Sequence, residues 1–181
     1  YGMKTEVIAN KNIFVFSPEF LAHGRLITTD VGAALGALLA TIFWLKFLKN
    51  PSLKNIIFAG LIFGLAQLLK FTLLLLIPFF IIITIIYALL FSKKESVRGK
   101  IISLYLGKAA LIGLIGFFFV IWPVYQFHVW HYPIDQQVRD TKADISSNPI
   151  SFAKDLTIWM AGKEIVRAPA QYFRGVLMAF Q

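Results

Sequence analysis

A short polar segment, residues 17–30, brings together side-chain types that could do acid–base and ionic chemistry. It reads SPEFLAHGRLITTD and lies immediately before a long apolar run. Asp30 ends the segment, and a carboxylate there could accept a proton or hold a cation. His23 and Arg25 add a titratable and a cationic group close to it in sequence. Lys70 is the fourth candidate, because an ammonium group amid Leu, Ile and Phe is costly unless it reaches water or a partner.

Each candidate also has a structural interpretation that needs no chemistry. Asp30 would cap the helix that follows it and offset the helix dipole. Residue physics alone favours this role, although capping and catalysis can coexist. Arg25 would bind a lipid phosphate, and His23 would be an ordinary interfacial histidine. Lys70 would cap the outer turn of a helical hairpin, whereas its functional alternative is to hold a phosphate at the depth of Asp30. The residues alone leave these alternatives open.

The composition places the candidates in a membrane protein. Of the 181 residues, 58% are hydrophobic and only 15% are charged, and the apolar residues form runs of membrane-spanning length. The net charge of +9 is carried by short Lys and Arg clusters between those runs, which is typical of cytoplasmic loops. The sequence therefore predicts an integral, multi-pass membrane protein with no nucleic-acid partner. It has no cysteine, which excludes zinc sites built on thiolates.

The fold class that follows is all-α, with about four transmembrane helices. They are expected near residues 31–48, 55–70, 72–91 and 101–122. Small residues recur at four-residue intervals, at Gly32, Gly36 and Ala40 in the first span and at Gly60 and Gly64 in the second. Such stripes predict that other helices approach these two spans closely.

The breaks between the spans are marked by polar residues and prolines. The second and third spans are expected to form a tight hairpin that turns at Lys70, with Pro78 kinking the second arm. Residues 92–100, SKKESVRGK, are expected to be a basic loop. The pair Trp122-Pro123 is expected to end the fourth span.

The distribution of charge predicts the orientation in the membrane. Basic residues cluster near 46–54 and 93–100, and the positive-inside rule places both clusters in the cytoplasm. Asp30, Lys70 and the segment 133–181 then share the extracytoplasmic face.

The segment 133–181 is expected to lie on the outer membrane surface rather than to cross it. It should hold one helix through its Asp-rich part and an amphipathic helix near 152–165, separated by Asn148-Pro149. Just before it, His128 and His131 with Asp135 have a loose metal-ligand spacing within an aromatic belt. This spacing is a weak signal, and no metal site is predicted there.

The motif H-G-R-L-x-T-T-D before a span, followed by G-L-x-x-G-L-A-x-L-x-K-F, resembles the polytopic glycosyltransferases of family 39. These include the protein O-mannosyltransferases and the aminoarabinose lipid A transferases. The later stretch RAPAQYFRG is similar to the outer-face loop of bacterial members. The resemblance covers most of residues 17–175.

The resemblance implies a GT-C type fold. Such enzymes move a sugar from a polyprenyl-phosphate carrier to a protein or lipid acceptor outside the membrane. It implies that Asp30 is an acid facing the active site, where it orients the acceptor or holds a divalent cation. It also implies that Arg25 and Lys70, with His23 in the same motif, bind substrate. The family's main catalytic acid is expected before Tyr1, so the chain is expected to be part of a longer protein.

Two other functions are compatible with parts of the pattern. A transporter or flippase of lipid-linked sugars would use the same outer basic residues without chemistry, but it predicts charges deeper in the spans and broken helices near the midplane. A non-catalytic scaffold with basic loops on anionic lipid leaves the HGRLITTD motif unexplained.

Overall fold

The computed structural model describes residues 30–91 and 95–180, and this part of the chain is helical, with no strand. The helices are α1 Asp30–Lys49, α2 Leu53–Leu69, α3 Leu76–Phe91, α4 Glu95–Gly116, α5 Trp122–Val129, α6 Ile134–Asp144, α7 Ser151–Ala161 and α8 Arg167–Ala179. A 3₁₀ turn, Phe71–Leu75, precedes α3, and a π-helical turn, Phe117–Ile121, joins α4 to α5. The predicted all-α class is confirmed.

Three helical segments are long and apolar enough to cross a membrane: Asp30–Lys49, Phe71–Leu90 and Gly99–Val129. Their outward side chains are large and apolar, as the exposed Leu90 and Phe119 illustrate. The chain is therefore an integral membrane protein, as its composition predicts. Helix α2 is equally apolar but has 17 residues, about 26 Å at 1.5 Å per residue. That α2 also spans the membrane stays a prediction.

Helix α2 lies at the centre of the bundle, between α1 and α4. Its glycines permit this, because a Cβ on Gly64 would lie 2.7 Å from the carbonyl oxygen of Gly116, and one on Gly60 would lie 2.9 Å from that of Ile112. On the other side, a Cβ on Gly36 of α1 would lie 3.4 Å from the Cα of Ala66. The small-residue stripes thus pack against neighbouring helices, as predicted for them.

The predicted turn at Lys70 between the second and third spans is confirmed, but the two arms do not pack tightly on each other. Helix α3 packs chiefly on α4, and it meets α2 through rings such as Phe63 and Phe80, with centroids 6.2 Å apart. The reason is that α4 occupies the glycine face of α2 that a hairpin partner would need. Helix α3 is tied instead to α1, where Trp44 stacks on Phe80 at 4.4 Å and donates a hydrogen bond of 3.1 Å to Thr84 Oγ1.

The predicted end of the fourth span at Pro123 is wrong, and the kink predicted at Pro78 stays a prediction. Pro78 lies in the first turn of α3, where a missing N–H group is tolerated, and the change of geometry is the 3₁₀ turn just before it. The fourth span does not end at Trp122-Pro123, because the helix continues to Val129. A π-helical turn absorbs Pro123: the N–H of Trp122 bonds to the carbonyl of Phe117, five residues back.

Two further expectations need correction. Residues 95–100 of the predicted basic loop are the first turns of α4. The outer segment holds three helices, not two, because the stretch RAPAQYFRG belongs to α8. Pro169 is its third residue, a position that needs no internal N–H bond. The predicted break at Asn148-Pro149 separates α6 from α7, and Asn148 Nδ2 donates to the carbonyl of Leu177 at 3.0 Å.

Replacing Gly64 with Ala should destabilise the bundle, because the new Cβ meets backbone atoms of Gly116 that cannot move aside. Overpacking of this kind costs about 1–3 kcal/mol. Thermal unfolding of the purified protein in detergent measures the loss. The matched control is Gly113→Ala in α4, whose Cβ would meet nothing within 4 Å and should leave stability unchanged or slightly raised. Equal melting temperatures for the two variants would contradict the packing described above.

Candidate functional site

Asp30 and Lys70 meet at one end of the bundle, although 40 residues separate them in the chain. The ammonium Nζ of Lys70 donates a hydrogen bond of 2.5 Å to Asp30 Oδ1. Asp30 is the first residue of α1, and Lys70 directly follows the last residue of α2. Their side chains are 57% and 37% exposed, so both are accessible. An ion pair this exposed contributes only about 0–1 kcal/mol to stability, which leaves its chemistry as the more informative property.

His23 and Arg25, the other two predicted site residues, lie outside the residues that the structure describes. Their proximity to the ion pair therefore stays a prediction that rests on sequence: Arg25 precedes Asp30 by five residues and His23 by seven.

The position of Lys70 is set by a break between two helical geometries. Its backbone is extended, with φ −159° and ψ 129°, and its carbonyl accepts a 3.0 Å hydrogen bond from the N–H of Leu73. Gln67, one turn earlier in α2, is almost fully buried and donates a 3.1 Å hydrogen bond to the carbonyl of Leu73. The two bonds hold the 3₁₀ turn against the end of α2, so that Lys70 projects toward Asp30.

Tyr172 of α8 supports the same turn from the other side. Its hydroxyl donates to Gln67 Oε1 at 3.4 Å, and its ring lies 5.8 Å from that of Phe71 and 5.6 Å from that of Tyr125. Burial, and to a lesser extent the nearby Tyr125, raises the pKa of Tyr172 to about 12. The phenol is therefore neutral at physiological pH and acts as a donor to Gln67.

Gln67 and Tyr172 were not predicted as part of the site. Gln67 did carry a signal, since a lone amide inside an apolar helix is costly unless it has a partner. Tyr172 carried none, because its role depends on α8 folding back onto the turn after α2.

A cavity of about 410 Å³ opens beside the turn that carries Lys70. Leu68 and Phe71 line one wall, and His128, Gln171 and Arg174 line the facing side. The site is thus bordered by a space large enough for a ligand group.

Arg167 fixes the helices that form this border. Its Nη2 donates to the carbonyls of Val129, at 2.9 Å, and Tyr132, and its Nε donates to Gln137 Oε1 at 3.1 Å. Gln137 Nε2 returns a 2.9 Å bond to the carbonyl of Arg167. This reciprocal pair holds the start of α8 against the end of α5 and the first turn of α6.

Side chains that could bind a metal ion are spread apart in the described ranges, 30–91 and 95–180. No three His, Cys, Asp or Glu residues there come together as a metal site, and this includes His128, His131 and Asp135. A cation held by Asp30 would compete with the Lys70 ammonium group for Oδ1.

The bracing of the turn predicts an energetic coupling between Gln67 and Tyr172. Gln67→Leu and Tyr172→Phe should each lower the unfolding free energy, and the double variant should lose less than the sum. The shared hydrogen bond sets a coupling of about 0.5–1.5 kcal/mol. A double-mutant cycle from unfolding in detergent measures it, and strictly additive losses would show that the bond does not brace the turn.

A family profile described as dolichyl-phosphate-mannose-protein mannosyltransferase matches residues 4–122, more than half of the chain. The matched range includes Asp30 and Lys70 and ends at Trp122. No curated protein matches the chain, and no solved structure does.

Proposed function

The chain belongs to the dolichyl-phosphate-mannose-protein mannosyltransferase family, and from this premise we propose the reaction that it serves. It is a membrane glycosyltransferase of the GT-C type. We propose that it transfers a mannose-like sugar from a polyprenyl-phosphate donor to a protein or lipid acceptor at the extracytoplasmic face. The observation that carries this proposal is the accessible Asp30–Lys70 pair, which lies at one end of the bundle within the matched range.

The pair supplies two charges that such a transfer needs. An acceptor hydroxyl attacks the anomeric carbon of the sugar, the bond from that carbon to the phosphate oxygen breaks, and the polyprenyl phosphate leaves with the electron pair. The proton of the hydroxyl passes to a base. Lys70 stabilises the charge that develops on the leaving phosphate. Asp30, released when the phosphate takes over Lys70, orients the acceptor hydroxyl and accepts its hydrogen bond.

His23 and Arg25 are proposed to bind the same substrate, because they precede Asp30 in one motif within the matched range. A guanidinium group suits a phosphate, since it can donate two parallel hydrogen bonds to it.

The proposed sidedness rests on the charges at the two ends of α1. Lys46 and Lys49 lie in its last turn, and Asp30 lies in its first. The positive-inside rule places the lysine end in the cytoplasm, so that the ion pair faces outward.

Removing either charge should reduce sugar transfer in the full protein. Asp30→Asn should lower the rate at least about tenfold, because the charge-assisted hydrogen bond that orients the acceptor hydroxyl is lost. Lys70→Met should lower it at least about tenfold, because a charge-assisted hydrogen bond to the phosphate is lost. Transfer from a lipid-linked sugar in reconstituted vesicles measures both variants, and Lys46→Met at the far end of α1 is the control.

A charge exchange separates chemistry from simple ion pairing. The variant Asp30→Lys with Lys70→Asp keeps a salt bridge but places each charge against a helix dipole, so it should fold with slightly lower stability and should not restore transfer. Wild-type rates in the two single variants, or full activity in the exchanged pair, would remove these residues from the mechanism.

The orientation can be measured without touching the pair, since the chain has no cysteine of its own. Asn50→Cys lies in the turn between α1 and α2, and Ser147→Cys lies in the turn between α6 and α7. A membrane-impermeant maleimide applied to intact cells should label position 147 and not position 50. The reverse pattern would place the ion pair on the cytoplasmic side and refute the proposed sidedness.

A further inference from the structure

A cleft between α5 and α8 borders the turn that carries Lys70, but neither Asp30 nor Lys70 lines it, and it has the chemistry of a ligand site. Two cavities, of about 410 and 490 Å³, share the walls formed by His128, Gln171 and Arg174, and together they form this α5–α8 cleft. We propose that it binds the phosphate headgroup of a membrane phospholipid. The proposal goes beyond the transfer reaction and does not depend on it.

Arg174 provides the main charge of the cleft. Its side chain is only 14% exposed, and Nε and Nη2 both donate to Asp144 Oδ2, the former at 2.7 Å. Burial would lower the pKa of Arg174, but hydrogen bonds to Tyr132 and Asp144 outweigh it, so that the pKa is raised and the guanidinium stays charged. Its Nη1 is buried and has no hydrogen-bond partner within the described part of the chain. A buried donor without an acceptor is costly, and an anionic ligand oxygen would satisfy it.

The remaining polar groups of the cleft also favour an acceptor-rich ligand. His128, His131 and Gln171 can each donate an N–H group. Of the acceptors near them, Asp144 already receives Arg174, and the carboxylate of Asp140 receives the hydroxyl of Tyr132. A phosphate group presents several unprotonated oxygens that accept hydrogen bonds, so it matches a set of converging donors.

The other wall and the depth of the cleft indicate that the phosphate belongs to a lipid. Leu68, Phe71, Val124 and Met178 give the 410 Å³ cavity an apolar side that would suit an acyl chain. His128 is the penultimate residue of the membrane-crossing segment Gly99–Val129, and the cleft therefore lies at the level of phospholipid headgroups. A free phosphate ion would leave the apolar wall uncovered.

Native mass spectrometry of the full protein in detergent tests the proposal with two matched probes. Dioleoylphosphatidic acid carries a phosphate, and dioleoylglycerol has the same chains without it. The variant Arg174→Gln with Asp144→Asn removes both charges together, so that no unpaired carboxylate stays buried, and its melting temperature checks folding. Arg139→Gln, on the exposed face of α6, is the control.

We expect the wild type and Arg139→Gln to retain phosphatidic acid, and the double variant to bind it about tenfold more weakly, the loss of one charge-assisted hydrogen bond. Dioleoylglycerol should bind weakly to all three. Arg174→Lys keeps the charge but lacks Nη1, and it should show an intermediate loss. Retention of phosphatidic acid by a folded double variant at the wild-type level would overturn the proposal.

Three further arms identify where the lipid binds and which source supplies the phosphate. Lys70→Met should retain phosphatidic acid as the wild type does, and a loss equal to that of the double variant would place the lipid at the ion pair instead. Displacement by millimolar inorganic phosphate would show a free-anion site and contradict a lipid. If a polyprenyl phosphate displaces phosphatidic acid from the Lys70→Met variant, and phosphatidic acid does not displace the polyprenyl phosphate, the cleft is part of the donor site. That outcome would refute a separate phospholipid site.

Discussion

The contact between the glycine face of α2 and the backbone of α4 sets the spacing of the whole bundle. Gly60 and Gly64 have no side chain, and atoms of Ile112, Ile115 and Gly116 occupy the space that a Cβ on one or the other would need. Helices in a membrane gain nothing from the hydrophobic effect when they associate, so close van der Waals contact of this kind must hold them together. With α4 on one side of α2 and α1 on the other, the end of α2 comes next to the beginning of α1. Asp30 and Lys70 lie at those two ends.

At the end of the bundle that carries Asp30 and Lys70, buried polar groups satisfy one another's hydrogen bonds. Gln67 bonds to the 3₁₀ turn and to Tyr172, and Arg167 bonds to the carbonyls that end α5. These contacts are buried or half-buried, whereas the Asp30–Lys70 pair is accessible. A transfer site needs rigid support beneath an accessible ion pair, because the charges must be positioned before the substrate arrives.

The sequence was sufficient for the features that depend on composition and on the order of the helices. Lys70 and Asp30 could be assigned to one face because each marks an end of an apolar run on the side away from the basic clusters. The pairing of helices could not be derived, since a GxxxG face indicates that another helix packs there but does not identify that helix. The course of the chain at Pro123 was missed because a proline usually indicates the end of a helix, whereas here a π-helical turn lets the helix continue. Helix α8 was missed because Pro169 and Gly175 resemble loop residues when their positions in a helix are unknown.

The π-helical turn at Phe117–Ile121 also acts as a rotational offset. One additional residue in a helix turns everything after it by about 100° around the axis, because an α-helix has 3.6 residues per turn. Tyr125 and His128 therefore point toward α8. Other side chains would point in that direction if α4 continued without the π-helical turn. Shortening the turn by one residue would keep the helix and its hydrophobicity intact, yet it would swing both rings away from α8. The side chains that line the cleft are thus determined by the rotation of the helix about its axis as much as by the identity of its residues.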